Sequence, residues 1–142
     1  MKIENEIKSK RIELAVVDSE DDYYPSYRIQ IGIKTEEFEG KFDRNVWLSE
    51  VDIDDFIERL SNFDKTRNGF EKLNSMSPDE FELGFRNIDN LGHISTQIQL
   101  RKESNIDNTY RDFLNIEFEI DPTSINSIIN GLKELKTHAN NG

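Results

Sequence analysis

The segment FDRNVWLSEVDIDDFIERLSNF, residues 42–63, changes from strand patterning to helix patterning within a few residues, and that change constrains the fold more than any other feature. Before it the apolar residues alternate. Within it Ile53, Phe56, Ile57, Leu60 and Phe63 recur at three- and four-residue spacing, which lines one face of a helix. Asp52 or Ser49 can cap the helix start by accepting a hydrogen bond from a free N–H of the first turn, and Asp54 and Asp55 then sit at the positive end of the helix dipole. A helix with one apolar face needs a sheet to cover.

The sheet is legible on both sides of this corner. Ile12, Leu14 and Val16 alternate with more polar residues, and Ile3 and Ile7 hint at a weaker strand before them. Tyr27, Ile29, Ile31 and Ile33 form a half-buried strand, and Phe38, Gly40 and Phe42 share a face of the next, with a hairpin at Thr35. After the helix comes the longest irregular link, DKTRNGFEKLNSMSPDE, with room for a short turn of helix at Phe70 to Leu73. Then Phe81, Leu83 and Phe85; Ile94, Thr96, Ile98 and Leu100; and Leu114, Ile116, Phe118 and Ile120 alternate in series. The links at Asn87 to Gly92 and Lys102 to Asn108 are too short for crossover helices, so these strands form an antiparallel meander. Asp121-Pro122 opens a second helix, with Ile125, Ile128, Ile129, Leu132 and Leu135 as its stripe and Asn130-Gly131 as an interruption costing about 1 kcal/mol at the glycine.

The alternate positions are polar: Arg28, Gln30 and Lys34; Glu80, Glu82 and Arg86; Gln97, Gln99 and Arg101; Asn115, Glu117 and Glu119. One apolar and one wet face predict an α+β fold, a two-layer, largely antiparallel sheet of about six strands with two helices packed on one face. A chain of 142 residues suits a single domain over 1–142, with a loose N-terminal end and a loose tail after about residue 137.

Charge and absences narrow the function. The 29 acidic against 18 basic side chains give a net charge of -11, which repels phosphate backbones and anionic membranes and attracts a basic protein. The expectation is therefore no nucleic acid and no membrane partner. The chain has no cysteine, which removes disulfides and thiolate chemistry and fits a reducing cytoplasm. The opening MKIENEIKSK lacks the apolar run of a secretory signal, and no stretch reaches the roughly 18 apolar residues of a membrane span, so a cytoplasmic location is expected.

Catalytic constellations are weak. The two histidines are His93, expected in an exposed turn, and His138 in the tail, so neither a Ser-His-Asp triad nor a zinc site is readable. Asp18, Glu20 and Asp22 have the first three ligand spacings of a calcium loop, but Tyr23 stands where the turn glycine belongs and Ile29 where the bidentate glutamate belongs. No phosphate-binding glycine loop occurs among the 7 glycines. The expectation is a protein that is not an enzyme and uses no cofactor and no metal.

One stretch stands out. Asp18, Glu20, Asp21, Asp22, Tyr23, Tyr24 and Tyr27 combine negative field with aromatic surface, a mixture suited to a basic protein partner. The plainer reading is a solvated loop with Tyr27 and Tyr23 tucked into the core. Trp47, the single tryptophan, reads as a core or rim residue, with an exposed anchor as the alternative.

The stretches IELAVVDSEDDYYPSYRIQIGIKT, FDRNVWLSEVDIDDFIERLSNF, EFELGF and FLNIEFEIDPTSINSIINGLKEL occur in an order and spacing that resembles the WapI-like immunity proteins, small bacterial proteins that accompany a polymorphic, contact-dependent toxin. Tyr27 stands where members tend to carry tryptophan. The resemblance implies a cytoplasmic protein that binds and neutralises a toxin domain, often a nuclease, and it brings no residue roles with it. The leading expectation is thus an inhibitor that meets a basic toxin domain through Asp18, Glu20, Asp21, Asp22, Tyr23, Tyr24, Asp54, Asp55 and Glu58. The alternatives are an acidic scaffold acting through self-association and a small-molecule-binding domain.

Overall fold

The computed structural model describes residues 1–103 and 110–140. Its strands are β1 (Lys2–Glu4), β2 (Arg11–Glu20), β3 (Ser26–Lys34), β4 (Glu39–Ser49), β5 (Phe70–Asn74), β6 (Phe81–Asn87), β7 (Ile94–Glu103) and β8 (Tyr110–Ile120). Helix α1 (Glu50–Thr66) follows β4 without a break, and a 3-10 turn at Pro122–Ser124 leads from β8 into α2 (Ile125–Asn140). The α+β class and the antiparallel pairing are as expected. In place of one sheet of about six strands, however, there are two four-stranded sheets, ordered β1-β2-β3-β4 and β5-β6-β7-β8.

The two sheets are coupled. Where they adjoin, the Met76 N–H donates to the Trp47 C=O at 2.9 Å. Both inner faces contribute to one continuous cluster of buried side chains, including Ile31, Leu48, Phe56, Phe85, Ile98 and Leu132. Helix α1 lies against α2, β5 and β4, and α2 against β2 and β1. The stripe on α1 buries Ile53, Phe56, Leu60 and Phe63, each worth about 1.5–3 kcal/mol of transfer free energy. Phe56 reaches the second sheet, with its ring 6.1 Å from that of Phe85.

Ser49 is the cap of α1, accepting from the Asp52 N–H at 3.1 Å; Asp52 is not. The expected turn of helix at Phe70 to Leu73 is instead strand β5, paired with β6 from Phe70↔Arg86 to Asn74↔Glu82. The cause is tertiary: the Phe70 ring occupies the space over Gly84, where an added Cβ would come within 2.5 Å of it, and Arg59 of α1 donates to the Lys72 C=O at 3.0 Å. The link from Lys102 to Asn108 falls mostly outside the described residues.

Candidate functional site

The stretch singled out as a loop, residues 18–27, is half strand and half turn. β2 runs to Glu20 and β3 begins at Ser26, so only residues 21–25 turn. A register slip between Val16 and Asp18 re-aims the end of β2, after which Asp18 lies opposite Arg28 and Arg28 opposite Trp47. These three side chains form a row across the open face of the sheet. Trp47 is therefore on the wet face, half-buried, with its indole N–H donating to Asn45 Oδ1 at 2.8 Å, rather than in the core. Val46 and Leu48 on either side of it are buried.

At the turn, Tyr23 is 94% exposed and Tyr24 71%, so Tyr23 is not tucked into the core. Their rings lie 5.9 Å apart, tilted. Tyr27 is the aromatic that is buried. The Pro25 C=O accepts from the Glu50 N–H at 2.8 Å, which fastens this turn to the first residue of α1. The Tyr27 phenol registers the result: burial pushes its pKa up, and the charges of Glu50, Asp21 and Asp54 push it further. Residues from the turn and the helix thus bear on one point.

Of the expected binding residues, Asp18, Glu20, Asp21, Asp22, Tyr23 and Tyr24 are exposed on and around the turn, and Asp54, Asp55 and Glu58 are exposed on α1. They are not equivalent. Asp54 forms an ion pair with Lys136 of α2, and Asp55 pairs with Arg59 at 2.9 Å. Arg59 also holds Glu71 at 2.7 Å, so this part of α1 is tied to β5 and α2. Exposed acids in such pairs keep only part of their field. Val51, 71% exposed in the first turn of α1, went unnoticed in the sequence. It falls off the apolar stripe, and Asp54 and Asp55 are its neighbours at three and four residues' distance, a signal that was there to be read.

His93 sits in the turn between β6 and β7, exposed, with its Nδ1 on the Asp89 carboxylate. That carboxylate also accepts from the N–H groups of Leu91 at 2.8 Å and His93 at 3.3 Å, so the pair closes a turn. The His138 side chain falls outside those described. Among the described residues no three His, Cys, Asp or Glu side chains are grouped to hold a metal ion, and no helix is long and apolar enough to cross a membrane.

A family model described as the immunity protein WapI-like family matches residues 2–137. The chain belongs to that family. Neither a curated protein nor a solved structure matches it. Membership in an immunity family implies a toxin partner in general and favours a binding role over a catalytic one.

Proposed function

We propose that this immunity protein neutralises a toxin domain of basic surface, in the cytoplasm and without catalysis, by docking the 18–24 segment and the first turns of α1 against it. Supporting the reading is the 2.8 Å bond from the Glu50 N–H to the Pro25 C=O, which brings the acid turn to the start of α1, beside two exposed tyrosines and the exposed Val51. Carboxylates supply long-range attraction and orientation, and aromatic and aliphatic area supplies the contact that holds once water leaves. The same acids repel nucleic acid, so a toxin covered here loses access to any polyanionic substrate.

The test is a calorimetric titration of the cognate toxin domain with the parent chain and with Asp21→Asn/Asp22→Asn and Tyr23→Ala variants, at about 50 mM and about 500 mM salt. Binding is expected to weaken with salt, to become less salt-sensitive in the double variant, and to weaken by about tenfold or more in the tyrosine variant. Unchanged affinity across all of these would remove this surface from the interface.

A further inference from the structure

At the opposite end of the molecule, the turn between β1 and β2, the turn between β6 and β7 and the exit of β8 surround a groove of about 450 Å³. Helix α1 measures the separation. It starts beside Pro25 and ends where the Arg67 guanidinium donates to the Pro122 C=O at 2.9 Å, and its 17 residues span about 25 Å.

Ile7 and Leu91, the most exposed large aliphatic side chains described, at 79% and 82%, both line this groove. Neither is needed to make its turn. The first turn is closed by Asn5, whose Oδ1 accepts from the Lys10 N–H at 2.9 Å and whose Nδ2 donates to Ser9 Oγ at 2.8 Å, with Lys8 taking the left-handed conformation. The second is closed by Asp89, with Gly92 at φ +86°. Two large apolar side chains thus stand on turns stiffened by other residues, held out into water.

The rim is anionic. Glu6, Glu119 and Asp121 line the groove, and neither lysine nor arginine does among the described residues. The N–H and hydroxyl of Thr123 hold the Asp121 carboxyl below the usual range, which favours its charged form further. His93, the basic group present, is already engaged by Asp89. A ligand complementary to this surface carries apolar and cationic groups together, whereas a phosphate or an anionic lipid meets three carboxylates.

We propose that this groove is a second docking surface, separate from the acid turn, for a partner segment that places an apolar side chain between Ile7 and Leu91 and sets lysine or arginine against Glu6, Glu119 and Asp121. It does not depend on the toxin-binding role assigned to the other end.

The probe is a synthetic amphipathic Lys/Leu peptide, titrated into the full ¹⁵N-labelled chain and followed by amide chemical shifts, with Lys/Ser and Glu/Leu peptides of equal length alongside. Shifts are expected in residues 5–10, 88–93 and 119–122, with affinity for both control peptides about tenfold weaker or more. Ile7→Ser/Leu91→Ser should weaken Lys/Leu binding to a similar extent. Glu6→Gln/Glu119→Gln, which keeps the apolar pair, should weaken it several-fold with an unchanged far-UV spectrum. Shifts confined to the 18–24 segment and α1, equal binding of the Lys/Ser peptide, or no binding at all would each overturn the proposal.

Discussion

Tyr27 is the buried aromatic residue at the acid turn. Burial first, and then Glu50, Asp21 and Asp54, raise its pKa above the ordinary 10.0. A raised value means that the neutral phenol favours the folded state: the contribution is complete below the unfolded value and is lost as pH rises through the folded one. Replacing Asp21 or Asp54 by Asn should bring the Tyr27 titration, followed by NMR of ring-labelled tyrosine, down towards 10.0. His93 behaves alike at lower pH. The hydrogen bond and charge of Asp89 raise its pKa above 6.5, and the hydrogen bond from the His93 ring, with the N–H groups of Leu91 and His93, lowers that of Asp89 below 3.8. The pair therefore supports folding fully between 3.8 and 6.5, and loses that support as pH rises through the folded His93 value or falls through the folded Asp89 value. Asp89→Asn should return the ring titration most of the way to 6.5, with Glu119 retaining a small upward effect. These pairings were hidden in the sequence, where His93 read as an exposed turn residue. Val51 was visible there, off its helix stripe, and only its exposure gave it meaning.

Helix α1 shows what an element owes to local signals and what it owes to neighbours. Its start and its stripe are local: Ser49→Ala removes the cap and should cost about 1 kcal/mol, and Leu60→Ala in the buried stripe about 2–5 kcal/mol, both measured by urea denaturation. The sequence left Ser49 and Asp52 equally eligible as cap, because choosing between them requires knowing where β4 stops. Strand β5 is the contrary case. FEKLN has neither a clean alternation nor a helical stripe, and its conformation comes from pairing with β6, from the Phe70 ring over Gly84 and from the Arg59 contacts. Gly84→Ala should therefore displace the exposed Phe70 ring, whose edge the added methyl would meet at 2.5 Å, and destabilise the fold by about 1 kcal/mol, measured by urea denaturation.

For the whole molecule, the shared core and the Met76–Trp47 bond imply that both sheets unfold together. Trp47 fluorescence, which reads the first sheet, and far-UV circular dichroism, which reads both, should follow one urea transition with a common midpoint; two midpoints would mean that the sheets fold independently. The sequence by itself determined the class, the antiparallel pairing, the stripes of both helices, a strand-to-helix corner within residues 42–63 and the net negative charge. All of these follow from periodicity, capping chemistry or counting, which need only near neighbours. Only the tertiary structure decided that the strands divide into two sheets, that Trp47 faces the open side, that the acid turn is fastened to the start of α1, and that Ile7 and Leu91 line one groove. Each of these depends on residues tens of positions apart being brought together by a core that no local pattern encodes.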